Sequence, residues 1–277
     1  PEEQPFHHSL IGSMEDLSAA RLEDVADFFR TYYTPDNAVL TIAGDFDRDT
    51  AVGMVKRHFG SIPRGSGKPP LPPMQVSERF GAWRREVVPD EVAVARVFVT
   101  CRTPVFGSDG YYPSSLCAGV LGAGRGSRLH RSLVREQQVA SEATAYTFDL
   151  AKGSDLFIVD ATARPGVSGE ALERAVALEL DELNEYGLHS GELERVAALT
   201  QTEFLGAMQT VGERAYQLSR FATYLGDPRL LNEHIPRYRA VTRDQVTRFA
   251  RERLGADNRA SLIYVPQAGN PGDEGSR

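Results

Sequence analysis

Six histidines, His7, His8, His58, His130, His189 and His234, are the residues of this 277-residue chain best suited to hold a metal or shuttle a proton. No two of them stand at the H-x-x-E-H or H-E-x-x-H spacing that places two imidazoles on one helical face around zinc with a glutamate beside them. His7-His8 adjoins a helix start, but neighbouring side chains diverge, so it reads as a solvent-exposed loop pair; the other four are isolated and read as surface or packing residues. Cys101 and Cys117 lack a metal-like partner spacing, and no G-x-S-x-G elbow occurs. Nothing joins a nucleophile to its base, so the reading assigns no catalytic residue and no metal ligand.

The one unusual local sequence is Gly122-Ala123-Gly124-Arg125-Gly126-Ser127-Arg128-Leu129, between two helical signals. Three alternating glycines let the backbone turn sharply and expose N–H groups that could approach a phosphate or an extended peptide main chain. The segment lacks the G-x-G-x-x-G spacing, the Walker lysine and a clear preceding strand, which argues against a nucleotide. Two readings of Gly122, Gly124, Gly126, Ser127 and Arg128 stay open: a helix–helix turn that needs positive φ, and a loop that contacts peptide. Asp45-Phe46-Asp47 is explained by a strand exit and a helix cap rather than by a metal. Tyr111-Tyr112 and Phe28-Phe29 read as core or interface, and Arg135-Glu136 as part of a solvated face.

With 25% charged and 41% hydrophobic residues, the composition is that of a folded protein. Lys+Arg 31 against Asp+Glu 38 leaves 31 − 38 = −7, so no basic field is available to gather nucleic acid or anionic lipid. No apolar run approaches the ~18 residues of a membrane span. Two cysteines are too few for a disulfide scaffold and do not report the redox state of the compartment; a cytoplasmic setting is the default expectation. The start, Pro-Glu-Glu-Gln-Pro-Phe-His-His, has no basic stretch, apolar core or initiating methionine, and reads as the cut edge of something longer.

A Pro/Gly-rich segment, 60–79, with Pro63, Pro69, Pro70, Pro72 and Pro73, reads as an exposed linker between two units. In the first, 1–59, Leu22, Val25, Phe28, Phe29 and Tyr32 form one helical stripe that ends at Thr34-Pro35-Asp36-Asn37. Ala38 to Ala43 suits a buried strand with Gly44-Asp45 as its exit, and a second helix follows, capped by Asp47 or Asp49, with Val52, Val55 and Phe59 facing inward. The second unit, 80–267, opens with strands around Trp83 to Val88 and Val92 to Thr100, separated by the turn signal Pro89-Asp90. Helical signals cover about 112–121 and 127–136, and strands fit 141–148 and 155–163, joined through Lys152-Gly153-Ser154. A long helix carries Leu172, Val176, Leu180 and Leu183 and is closed by Gly187; Leu193 to Val211 continue the pattern, shorter helices start near Pro228 and Arg243, and Ala260 to Val265 closes as a strand. Residues 268–277 read as a disordered tail. Strands and helices in blocks, with a tight hairpin in place of helical crossovers, predict an α+β fold of antiparallel sheet with helices on one face.

Self-similarity adds to this. Val25, Phe28, Asp36 and Asn37 recur as Val246, Phe249, Asp257 and Asn258, since 246 − 25, 249 − 28, 257 − 36 and 258 − 37 each give 221 without a gap. Both passages read as amphipathic helix, Asp-Asn turn and apolar strand, so the chain holds two versions of one domain. The second begins near Phe80, which places the start of the first at 80 − 221 = −141 and predicts that about 140 residues of the first domain are absent.

Pro5-Phe-His-His-Ser-Leu-Ile-Gly12-Ser-Met-Glu-Asp-Leu17, Phe28 to Asp47, Phe59-Gly-Ser-Ile-Pro63, and Leu121 to Leu129 followed by Leu133-Val-Arg-Glu136 resemble the pitrilysin/insulinase family of zinc metallopeptidases, its processing-peptidase-like subgroup above all. The resemblance implies two homologous α+β domains, the first incomplete here, that form half of a clam shell; two halves enclose a chamber for unfolded peptides. It implies an inverted H-x-x-E-H helix upstream of the segment resembling Pro5 to Leu17, with zinc bound in the intact parent and none on this chain, which is then inactive alone. Family members that complete the site from the other half carry an arginine and a tyrosine seven apart after the glycine-rich loop. Val134 and Ser141 occupy those places here, while Arg135 and Tyr146 stand at the wrong spacing, so the expected partner is a second family subunit with that pair. The resulting expectation is part of a zinc endopeptidase subunit that meets peptide through Gly122, Gly124, Gly126, Ser127 and Arg128. The alternative is a non-catalytic partner or scaffold subunit of the same family.

Overall fold

The computed structural model describes residues 2, 4–72, 74, 76, 77, 79–150 and 153–267. The tail 268–277, Pro73 and Lys152 lie outside the described residues. Two compact units divide the chain, residues 1–75 with 203–234, and 76–202 with 235–277.

In the first unit, α1 (Met14–Ala19) is capped by Ser13, whose hydroxyl accepts the Asp16 N–H. α2 (Leu22–Tyr32) starts where the Asp24 carboxylate accepts the Arg21 N–H at 2.9 Å, and a short 3₁₀ turn at Pro35–Asn37 follows it. α3 (Arg48–Phe59) settles the choice of cap on Asp47, which accepts the Thr50 N–H at 2.8 Å; Lys56, Arg57 and His58 complement the negative end of its dipole. The strand expected at Ala38–Ala43 does not form. The chain leaves the 3₁₀ turn extended, with Ala38 at φ −120°, but no described strand lies beside 38–43, and an isolated strand has no ladder to stabilise it. Val52 and Phe59, expected to face inward, are exposed for the same lack of a covering layer. α7 (Val211–Leu225) also belongs to this unit, and its Ser219 hydroxyl lies 2.7 Å from Thr41 Oγ1.

The second unit is a five-stranded sheet in the order β1-β5-β2-β4-β3, formed by β1 (Arg84–Asp90), β2 (Arg96–Thr103), β3 (Ala140–Phe148), β4 (Asp155–Ala163) and β5 (Ala260–Pro266). The sheet is mixed. β5 pairs with β2 antiparallel and with β1 parallel, so Pro89-Asp90 closes no hairpin between β1 and β2. Pro89 lacks an N–H and suits the edge that β1 occupies, whereas the apolar Ala-Ser-Leu-Ile-Tyr-Val run of β5 suits an interior place. β3 and β4 form the expected antiparallel hairpin, with Tyr146 opposite Ile158 and Glu142 opposite Thr162.

Side chains alternate along β2 and β4. Val97, Val99, Cys101, Phe157, Val159 and Ala161 are buried beneath α4 (Tyr111–Gly122), α5 (Gly169–Tyr186) and α9 (Arg243–Arg253). Leu172, Val176, Leu180 and Leu183 are the buried stripe of α5, which Gly187 ends at φ +72°. α6 (Glu192–Ala207) stops short of Val211. Thr210 restarts the chain as the cap of α7, accepting the Glu213 N–H, so the apolar period read through Met208 and Val211 spans two helices. α8 (His234–Ala240) precedes α9, and a 3₁₀ turn at Ala256–Asn258 leads into β5.

Candidate functional site

The glycine-rich segment joins α4 to a rare helix type. Gly122, the last residue of α4, lies against the middle of β3: a Cβ there would stand 1.8 Å from the Ala145 nitrogen, so only glycine lets the helix end sit on the strand backbone. Gly124 takes φ +71° and its carbonyl accepts the Ser127 N–H at 3.2 Å, closing the turn. Gly124, Arg125 and Gly126 form the exposed tip, while Gly122, Ser127 and Arg128 are buried. The five residues singled out by the sequence thus sit on one turn but on two sides of it, with main chain facing water and side chains facing the protein.

Arg128 anchors the turn. At 1% exposure its guanidinium donates Nε and Nη2 to the two Glu192 oxygens at 2.8 and 2.7 Å, and Nη2 also to the Gly187 carbonyl at 2.7 Å. Burial works to raise the Glu192 pKa, but hydrogen bonds from Arg128 and from the His189 N–H outweigh it and hold the carboxyl below its ordinary value. Arg195, on the same face of α6 three residues after Glu192, donates to the Ala123 carbonyl at 2.9 Å. The turn is therefore fixed to the α5–α6 junction from both ends.

Residues His130–Glu136 form a π-helix, with the Gln137 N–H bonded to the Ser132 carbonyl five residues back at 2.8 Å. The helical signal at 127–136 marks this element, but not its pitch. Gln138 exits at φ +55°, and Arg164 donates to the Val134 carbonyl (3.0 Å) and the Ala140 carbonyl (3.1 Å). Val134 is half-buried, and Ser141 donates to the Thr162 carbonyl at 3.2 Å. Arg135 is exposed on the π-helix and Tyr146 is exposed on β3. Behind the π-helix, burial raises the pKa of Glu179; a hydrogen bond with Ser132 opposes that shift, the neighbouring Glu182 adds to it, and Arg128 and Arg131 oppose it.

Burial pushes the Cys101 thiol up to about 12 and the Cys117 thiol further, so neither offers a thiolate. His7 and His8 are exposed, His189 lies 3.4 Å from Glu182, and His234 packs at a tilt against Phe204 and edge-to-face against Phe221. Among the described residues no group of three or more His, Cys, Asp or Glu side chains is placed to hold a metal, so these residues do not fit a zinc site. No described helix is long and apolar enough to cross a membrane.

Three comparisons with known proteins bear on this arrangement. The model of a family described as peptidase M16 inactive domain matches residues 19–199. Among curated proteins, the zinc protease PqqE of Helicobacter pylori is 27% identical over 222 residues, covering 80% of this chain and 49% of that protein. An uncharacterized zinc protease of Mycobacterium tuberculosis is 24% identical over 261 residues, covering 94% of this chain and 59% of its own length. The chain thus spans about half the length of the curated relatives it matches. Among solved structures, a protease from Helicobacter pylori superimposes with a TM-score of 0.86 at 23% identity, over 95% of this chain and 63% of that one, a likeness of fold.

Proposed function

Because the chain belongs to the M16 peptidase family, matching its inactive domain over residues 19–199, we propose that it is the non-catalytic portion of a zinc-dependent endopeptidase subunit that cleaves peptides or unfolded segments inside a two-half chamber. The single observation that carries this is the match itself, set beside relatives that bear the name zinc protease and are about twice as long. In this reading zinc, its histidine ligands and the water-activating glutamate sit in the part of the parent homologous to the relatives' uncovered half. The described residues supply wall and seam. No step of hydrolysis is routed through them, since they assemble neither a metal site nor an activated nucleophile.

The glycine-rich turn would then meet peptide through the main chain of Gly124 and Gly126, with Gly122, Ser127 and Arg128 holding its shape. Val134 and Ser141 leave the second half of the site to a family subunit that carries the arginine and tyrosine pair. The domain boundaries 1–59, 60–79 and 80–267 belong to the same proposal.

The test is the upstream reading frame followed by assay of its product. An H-x-x-E-H motif with a distal glutamate, and peptide cleavage that a chelator abolishes and zinc restores, is the expected result. A frame without the motif would make the protein a non-catalytic partner or scaffold subunit and end the peptidase reading.

A further inference from the structure

Two arginines flank the base of the glycine-rich turn, and only one of them has its charge met. Arg128 closes the Nε and Nη2 edge of its guanidinium on the two Glu192 oxygens. Arg195 bonds the Ala123 carbonyl through Nη1; among the described residues its Nε has no acceptor, its Nη2 is buried without one, and no carboxylate lies within ion-pair distance. A Cβ on Gly126 would stand 3.6, 3.8 and 3.9 Å from Cδ, Nε and Cζ of Arg195, so this open edge belongs to a guanidinium that lies against the turn. The hydroxyl of Ser127, a residue with no exposed surface, is also without a partner, as is Nη1 of the buried Arg128. At the exposed tip the main-chain N–H groups of Gly124, Arg125 and Gly126 have no acceptor among the described residues, and Arg125 adds a second cation that none of their carboxylates pairs. Donors and positive charge gather at this turn without an acceptor to meet them, on a chain whose net charge is −7.

We propose that the turn is a binding site for a small free oxyanion of the phosphate class, held by the Nε and Nη2 edge of Arg195, the Ser127 hydroxyl and the main-chain N–H groups of the tip. That edge presents two parallel N–H donors to two oxygens of one anion, as the same edge of Arg128 does to the two Glu192 oxygens. Glu192 does not repel such a ligand, because Arg128 balances its charge. Partial burial strengthens the contact relative to that of a surface arginine, since less water screens it. Glycine opens the approach: nothing lies within 4 Å of a Cβ placed on Gly124, so an oxyanion can reach the main chain there. An oxyanion at the tip occupies the N–H groups that the proposed function gives to peptide main chain, so the two ligands exclude each other. The oxyanion site does not depend on that reading.

The experiment titrates the chain with sodium phosphate, with sodium chloride holding the ionic strength constant, and reads backbone amide chemical shifts and amide exchange. Phosphate shifts the amides of 124–127 saturably and slows their exchange, whereas chloride alone does neither. Arg195→Gln weakens phosphate binding about tenfold or more, as loss of a charged two-pronged contact requires, and Ser127→Ala weakens it about threefold to tenfold. Arg135→Gln, which removes an exposed charge from the neighbouring π-helix, changes it less than about twofold. Unchanged exchange in β2, β4 and β5 shows that each variant is folded, and Ser127→Ala carries the test if Arg195→Gln is not. Shifts that grow without saturating, an equal response to chloride, or the same loss from Arg135→Gln as from Arg195→Gln overturns the proposal by reducing the site to surface charge. A parent without a zinc motif would defeat the peptidase reading yet leave these binding results standing.

Discussion

The passages 22–43 and 243–264 have the same local structure and opposite surroundings. Adding 221 to α2, Leu22–Tyr32, gives α9, Arg243–Arg253, and adding it to the 3₁₀ turn Pro35–Asn37 gives Ala256–Asn258. The hydrogen bonds repeat as well. Asp24 accepts the Arg21 N–H as Gln245 accepts that of Thr242, at 2.9 and 2.8 Å, and Asn37 donates to the Tyr32 carbonyl as Asn258 does to that of Arg253, at 2.9 and 2.8 Å. Burial does not repeat. Val25 and Phe28 are 46% and 51% exposed where Val246 and Phe249 are 0% and 6%, and Ile42 is 48% exposed where Ile263 is 0%. Helix and turn are therefore encoded within the passage, while the strand exists only where other strands and helices receive it. The duplication read from the sequence is supported by these matched bonds, and its two products differ in what covers them.

Paired substitutions sharpen that contrast, and the largest effect is expected in the core. Phe249→Ala should cost about 3–5 kcal/mol by urea unfolding, whereas Phe28→Ala should cost less than about 1 kcal/mol, since half of its ring already faces water. Equal costs would mean that the first passage is buried in solution and would break the comparison. Arg128→Ala comes next at about 3–5 kcal/mol in the second unit only, because it strands the half-buried Glu192 carboxylate; Lys at 128 cannot restore the two-pronged contact.

Asn258→Ala should cost about 1–3 kcal/mol, because it leaves the Phe80 N–H and the Arg253 carbonyl without their partner, and Asn37→Ala should cost less, as the exposed Tyr32 carbonyl can turn to water. The smallest effects are in pH. The folded pKa of Glu192 is depressed, so its contribution is fully present above the unfolded value near 4.5 and fades as pH falls through the folded value; acid unfolding of the second unit should therefore start below pH 4.5 and shift upward in an E192Q variant, which lacks that carboxylate's contribution at every pH. Glu179 has the opposite sign. Its folded pKa is raised, so its stabilising contribution is present in acid and lost as pH rises through that value, and Glu179→Gln should raise stability at neutral pH.

How much of this was legible depends on the range of the interaction that decides each element. α2, α5 and α9 were readable because apolar stripes and nearby caps settle them, and the β3–β4 hairpin because its alternating residues sit close in sequence. The insertion of β5 between β1 and β2 was not, since it depends on pairing across more than half the chain, and the turn signal Pro89-Asp90 says only that the strand stops. The π-helix at His130–Glu136 escaped because one extra residue per turn leaves no mark on composition. α7 escaped because its apolar residues continue the period of α6 across the break at Thr210. At the site, the glycines announced the turn. Which of the five residues face inward was set by Glu192 and Ala145, both remote in sequence, and only the fold brings them to the turn.

Amide exchange measured in one sample of the chain, residues 38–43 against residues 260–265, tests the comparison most directly. Near-intrinsic exchange is expected in the first segment and slowing by orders of magnitude in the second, with the two preceding helices more alike than the two segments. Equal, strong protection of both would contradict it, because the first passage would then have a sheet of its own.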